Sequence, residues 1–257
     1  CIEGDGQDDL YMIVKRTIDG ATVRFIERLA HRLPDDDVED GVFLDAALTY
    51  NGRGTYAAGT EYAVGDVVYY SGATYICVLA STGNLPTNAT YWTVVNASAS
   101  SVAITSVTGL DHLEGEAVGV LADGGVVTGK TVSSGAITLS QAASKVHVGL
   151  KYTADIETLR IEYDDKGTAQ GKHKKVSTLT LRLDKSRMPF VGPDADHLVE
   201  LKGRSNEDVD VATGLTTGDI VQAIPPSWKS DGRIFIRQAN PVPTTILSII
   251  PEVDGGE

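Results

Sequence analysis

Hydrophobic and polar positions alternate in short runs along the chain. The runs LYMIVKRTI and ATVRFIERL flank Asp19-Gly20. Alternation on both sides of an Asp-Gly pair predicts a β-hairpin closed by a type I′ turn. In that register Met12, Val14, Ile18, Ala21, Val23 and Phe25 share a face fit for a core, while Lys15 stands opposite Arg24 on the other. Like charges directly across a ladder are unfavourable. Solvent can screen them, or an acidic neighbour can meet them: Asp35, Asp36, Asp37, Glu39 and Asp40, in this subunit or the next, supply carboxylates. Solvation is the simpler reading, because exposed charge pairs contribute little.

Further on, GVFLDAALTY predicts a strand leading out of this first part, and Asp66–Tyr70 with residues 74–78 predicts a hairpin around Ser71-Gly72. The runs VAITSV, AVGVLA, AITLS and VHVGL are separated by turns at Asp123-Gly124-Gly125 and Ser133-Ser134-Gly135. Short strands at even spacing with glycine turns predict a small β-barrel. In VSTLTLRL, Leu179, Leu181 and Leu183 alternate with Thr178, Thr180 and Arg182, the pattern of a half-buried strand. Its expected partner is TLRIEY, across the loop DDKGTAQGKHKK. A second hairpin is expected from GRIFIRQ and TTILSIIPEV around Asn240-Pro241-Val242-Pro243, with Trp228 as a core anchor and ADIETLR making a turn or two of helix. No long amphipathic helix is legible.

The fold class is therefore all-β and modular: a strand-rich body, a small β-barrel-like unit and an inserted small β module. The expected boundaries are 1–54 for the first part of the body, 55–97 for the insert, 98–152 for the barrel and 153–257 for the second part of the body. The insert is marked by composition, since Tyr56, Tyr62, Tyr69, Tyr70, Tyr75, Tyr91 and Trp92 crowd between the linker-like stretches NGRGTYAAG and NASASS.

Charge narrows the function. A net charge of −13 repels phosphate backbones and disfavours specific nucleic-acid binding. No apolar run has the length of a membrane-spanning helix, and the start lacks a signal-peptide pattern. The opening CIEGDG, without an initiator Met, reads as the middle of a longer or processed chain. Only Cys1 and Cys77 are present, too few for a disulfide framework, and Cys77 in YICVLA reads as a buried thiol.

Three stretches carry a resemblance. ITSVTGLDHLEGEAVGVLADGGVV with VHVGLKYTADIETL, the opening LYMIVKRTIDGATVRFIERLA and the closing SDGRIFIRQANPVPTTILSIIPEV resemble the carboxyl-terminal part of tail tubular, nozzle or stabilisation proteins of short-tailed bacteriophages, some with a domain like the FCCH domain of ubiquitin-activating enzymes. The resemblance implies a virion tail protein: a subunit of a homo-oligomeric, hexameric ring around the DNA channel. Its partners would be other phage tail proteins, and DNA would pass without specific binding. An acidic wall suits such a conduit.

The insert resembles the small chitinase-type carbohydrate-binding module through Tyr62, Gly65-Asp66-Val67-Val68, Ser71-Gly72 with Tyr75, and Asn84-Leu85-Pro86 leading to Tyr91-Trp92. Where members of that family often carry exposed tryptophans, this sequence has Val78, Leu79, Ala80 and Ser81. The resemblance implies sugar stacking, with Tyr62, Tyr69, Tyr70, Tyr75, Tyr91 and Trp92 as candidate carbohydrate-binding residues and host-surface polysaccharide as the ligand. The same rings also read as the core of a module too small to fold otherwise.

Catalytic signals are weak. His31, His112, His147, His173 and His197 are scattered without a metal-ligand spacing, so no metal or cofactor is expected. Glu114 and Glu116 would share a strand face and offer an acid–base pair, although spacing of two is common by chance. Gly167 to His173 imitates a phosphate-binding loop but has too few residues between its glycines, and His173 follows Lys172 where Ser or Thr is required. Lys172, His173, Lys174 and Lys175 form a basic patch, read as a solvated hairpin tip or as a contact with an acidic neighbour or anionic polysaccharide. The expectation is a non-enzymatic structural protein; the alternative is a glycan-binding accessory region of a secreted carbohydrate-active protein.

Overall fold

Two-residue turns set the local architecture. Both central residues have positive φ at Asp19-Gly20 (46° and 72°), Ser71-Gly72 (50° and 85°), Asp123-Gly124 (44° and 73°) and Ser134-Gly135 (54° and 65°). That is the type I′ geometry, whose twist matches that of the strands it joins. The computed structural model describes residues 2–3, 8–30, 37–162, 171–202, 212–225, 228–229 and 231–255. Among these the protein is all-β. Its helical pieces are the 3-10 turns Val38–Asp40 and Asp111–Leu113, each of 3 residues.

The chain divides into two compact units: Cys1–His31 with Leu44–Lys151, and Arg32–Phe43 with Tyr152–Glu257. The first is built on a 7-stranded sheet in the order Trp92–Asn96, Ala73–Cys77, Asp66–Tyr70, Asp45–Thr55, Lys145–Leu150, Ala117–Ala122, Gly125–Thr131. Every neighbouring pair is antiparallel except Asp45–Thr55 with Asp66–Tyr70, which run parallel. Val118, Val120, Val146 and Val148 point from one face of this sheet into a core shared with Val107, Ile137 and Leu139. Those last three come from a separate ladder, Ile104–Thr108 with Ala136–Ala143.

The first hairpin, Tyr11–Ile18 with Ala21–Arg28, has the expected register, with Lys15 opposite Arg24. Ile18, Val23 and Phe25 join the same core. Beside them Arg16 makes a two-pronged ion pair with Glu27, at 2.8 Å from both Nε and Nη2.

The strands expected to close a small barrel do not do so. Lys145–Leu150, Ala117–Ala122 and Gly125–Thr131 belong to the large sheet, whereas Ile104–Thr108 and Ala136–Ala143 form a separate two-stranded ladder. The cause is Asp45–Thr55, an 11-residue strand that takes Lys145–Leu150 on one edge and Asp66–Tyr70 on the other, so the sheet runs on instead of closing. Gly52 makes the approach possible: its N–H donates to Ser144 O at 2.7 Å, and a Cβ there would lie 2.5 Å from that oxygen.

In the second unit the 13-residue strand Lys174–Ser186 lies between Thr216–Ala223 and Ile246–Gly255. Leu179, Leu181 and Leu183 are fully buried, as their alternation predicts, and pack with Val191, Leu201, Ile234 and Ile236. A second sheet has the order Ala154–Glu157, Phe235–Gln238, Phe190–Gly192, Val199–Glu200. Several expectations fail here. Residues 158–162 form no strand, and Tyr163 lies outside the described residues; the long strand pairs instead with segments far away in sequence. Residues 235–238 and 246–255 sit in different sheets, so Asn240 to Pro243 is a crossover and not a hairpin turn. Ala154–Glu157 is a strand and not helix. Trp228 is 52% exposed and lies 6.0 Å from Lys175 Nζ, a cation–π contact at the surface and no core anchor.

Candidate functional site

The aromatic insert, the candidate site, is organised by the period of two. Val68, Tyr70, Ala73, Tyr75, Cys77, Trp92 and Val94 occupy one face of its three strands, because Val68 pairs with Tyr75, Tyr70 with Ala73, Cys77 with Trp92 and Tyr75 with Val94. Tyr69, paired with Thr74, points to the opposite face. On the first face Tyr62, Val68, Cys77 and Trp92 make a small core, with Tyr56, Tyr75 and Tyr91 packed against it. Tyr56 stacks on Tyr62 at 5.6 Å, while Tyr62 meets Trp92 edge-on at 5.3 Å. Tyr70 meets Tyr56 edge-on at 5.7 Å.

Hydrogen bonds hold this cluster in place. Tyr62 OH accepts the N–H of Ala57 at 2.9 Å, and Trp92 Nε1 donates to Asn84 O at 3.0 Å, tying down the loop that carries Leu85 and Pro86. Asp66, buried, accepts from Asn51 Nδ2 at 2.7 Å and from the N–H of Ala63 at 3.0 Å, which fastens the insert to the strand that carries it. Burial raises the Tyr56 hydroxyl and the Cys77 thiol above their ordinary values. Cys77 is a free, buried thiol as its apolar run predicts; Cys1 lies outside the described residues.

The candidate sugar-binding residues thus separate. Tyr62 and Trp92, each 2% exposed, have no open ring face and serve as core, which corrects the stacking role carried by the resemblance. Tyr69, Tyr70, Tyr75 and Tyr91 are half-buried. Tyr69 and Tyr70 lie on opposite faces of one strand and cannot form one platform. An aliphatic patch stands where tryptophans are common in the resembled module. Val78 and Leu79 are exposed and both donate their N–H to Tyr91 O, at 2.8 and 3.4 Å. Between Thr55 and Asn96 the only charged side chains are Glu61, exposed, and Asp66, buried, so the surface here is sparsely charged and rich in hydroxyl and amide groups.

Elsewhere the chemistry-bearing side chains are occupied in holding turns. Glu114 follows the Asp111–Leu113 turn and is not in a strand. Its carboxylate accepts the N–H groups of Ser134 and Gly135 at 2.8 and 2.7 Å. Glu116 accepts the N–H of Asp19 at 3.2 Å. The two acids cap different turns, because Gly115, with φ 78°, breaks the alternation that would have placed them on one face. Of the histidines, His112 Nε2 is hydrogen-bonded to Ala46 O, His147 Nδ1 to Thr49 Oγ1 and His197 Nδ1 to Asp194 Oδ1. His173 is exposed, and His31 lies outside the described residues. Among the described residues no three His, Cys, Asp or Glu side chains are grouped to hold a metal.

The basic run is solvated only in its first half. Lys174 and Lys175 open the long strand of the second unit; Lys174 is 1% exposed and 3.6 Å from Glu162 Oε1, and Lys175 pairs with Asp254 at 3.8 Å. Lys172 and His173 remain exposed, while residues 167–170 lie outside the described residues.

What sequence reasoning missed is the set of sheet faces left open to solvent. On the first hairpin Ile13 and Ile26, directly opposite one another, are 76% and 78% exposed. On the outer face of the second unit's long sheet Val221 and Ile250 flank Thr180, and Val221 is 66% exposed. The alternation that identifies a strand's inner residues also identifies these outer ones. Apolar residues on both faces of the first hairpin were the available signal. Neither a protein-family model nor a characterised protein matches the sequence.

Proposed function

We propose that this protein is a non-enzymatic structural component of a bacteriophage tail, a subunit of a nozzle-like ring that forms part of the DNA-delivery conduit, with the sparsely charged aromatic module available for contact with the host surface. The observation that carries the assembly reading is the set of aliphatic side chains lying exposed on regular strands, Ile13 with Ile26 and Val221 with Ile250. Contiguous exposed apolar surface on ordered strands marks interaction surfaces. The three sequence resemblances supply the viral context, and the net charge of −13 suits a wall along which phosphate slides without sticking. Two measurements test the proposal: the native mass of the full chain in solution, and its position in purified virions by antibody labelling. A strictly monomeric protein, or one absent from virions, would end it.

A second reading, a glycan-binding accessory region, is favoured by the sparsely charged, hydroxyl-rich surface around Tyr69, Tyr70, Tyr75 and Tyr91. A glycan array decides its weight. If sugar binding is present, loss on Tyr70→Ala with retention on Tyr69→Ala puts the ligand on the core-bearing face, and the reverse puts it on the other. Absence of binding to any glycan removes this reading.

A further inference from the structure

The first hairpin is built into the core near its turn, and its outer face is open to solvent at the far end. Near its turn Ile18, Val23 and Phe25 are built into the core, and the N–H of Asp19 is held by Glu116. At the far end Leu10 (45%), Tyr11 (41%), Ile13 (76%), Ile26 (78%) and Leu29 (56%) stand in solvent. The two strands pair with each other and with no third strand among the described residues. A two-stranded ribbon is by itself marginal in water, and one that exposes a cross-strand isoleucine pair is an incomplete layer.

Charge indicates what completes it. One step along the same outer face from Ile13 and Ile26 comes the pair Lys15 and Arg24, directly opposed. Neither forms an ion pair among the described residues, whereas the Arg16–Glu27 pair occupies the packed face. Among the described residues the outer face is thus apolar with positive charge that no acid meets, on a chain whose acidic groups outnumber its basic ones by 35 to 22.

We infer that this outer face docks on an acidic surface of a second copy of the chain, and that the contact is head-to-tail. Docking of the face on its own counterpart would bring Lys15 and Arg24 of both copies into one interface and double the repulsion. A symmetric two-fold contact through this face is therefore disfavoured. A contact between two different patches remains, and repetition of such a contact closes a ring or extends a filament. The inference rests on the assembly reading above and names the surface that would carry it.

Sedimentation of the full chain over a range of concentrations tests it, with the variants Ile13→Thr/Ile26→Thr and Lys15→Glu/Arg24→Glu. Threonine keeps the branched shape that strands favour, and the affected side chains are exposed, so both variants are expected to keep the wild-type circular dichroism spectrum and unfolding midpoint. The wild type is expected to form an oligomer larger than a dimer. Each variant should associate at least tenfold more weakly, and the charge variant should lose its residual association most at low salt. Folded variants that assemble like wild type would overturn the hairpin contact while leaving the assembly reading intact; a monomeric wild type would overturn both. Binding of wild-type monomer to anionic phosphatidylglycerol vesicles, lost in Lys15→Glu/Arg24→Glu, would assign the face to a membrane surface and overturn the inference as well. If one variant fails to fold, the other still decides between these outcomes.

Discussion

Leu181 shows how much one residue carries. It is fully buried at the centre of the long strand, with Ile220 and Ile249 paired on either side. Leu181→Ala is expected to lower stability by about 2–5 kcal/mol, from lost transfer energy and the cavity left behind; a urea titration measures it. Tyr50 makes a subtler contribution. Its hydroxyl donates to Val102 O at 2.7 Å, and burial pushes its pKa up to about 12. Tyr50→Phe leaves that carbonyl without its donor and should cost about 1 kcal/mol. Acid exposes a third set of residues. The hydrogen bonds from Arg16 hold Glu27 below the usual carboxylate range, and those from Lys229 and His197 do the same for Asp194. A carboxylate depressed in the folded state contributes stability above its unfolded pKa, about 4, and loses that contribution as pH falls through the folded value. Unfolding midpoints should therefore drop below about pH 4, and Glu27→Gln should show a smaller drop than wild type.

At the scale of elements, what could be read in advance was whatever the chain settles locally. Asp19-Gly20, Ser71-Gly72 and Asp123-Gly124 announce their turns because few residue pairs tolerate positive φ twice in succession. Leu179, Leu181 and Leu183 announce a buried face because alternation is a property of one strand alone. Pairing is not local, and there the reading fails. Nothing in TLRIEY tells that its neighbourhood will pair with residues 235–238, or that Lys174–Ser186 will accept Thr216–Ala223 and Ile246–Gly255. The parallel contact of Asp45–Thr55 with Asp66–Tyr70 was equally hidden, since each strand looks the same whichever neighbour it takes. The candidate site followed the same division. The aromatic cluster was visible in composition, but which rings are wall and which are surface depends on a ladder register: Trp92, a candidate sugar-binding ring, is buried through its place opposite Cys77, and Trp228, the expected anchor, is exposed. Gly20→Val tests the local side of this argument. A β-branched side chain at φ 72° is strained, so this substitution should destabilise the first hairpin by about 1–2 kcal/mol, measured as faster amide exchange in Tyr11–Ile18 than in Lys145–Leu150.

At the scale of the whole molecule the aromatic insert is a module with its own core that nonetheless borrows a strand. Deletion of residues 56–95 should preserve cooperative unfolding of what remains, because the core around Val120, Val146 and Val148 contains no residue of the insert. The cut would leave one edge of Asp45–Thr55 bare, however, and a bare edge invites pairing with other chains. The deleted protein is therefore expected to melt cooperatively by calorimetry and to aggregate more readily by light scattering. Each compact unit has its own buried cluster, and the placement of the two indoles makes them easy to follow separately. The chain has only 2 tryptophans: Trp92, in the first unit, is 2% exposed, and Trp228, in the second, is 52% exposed. The first should emit at short wavelength and resist iodide, and the second should emit at long wavelength and be quenched. The native fluorescence of an unlabelled sample thus contains two optical channels, one for each half of the molecule.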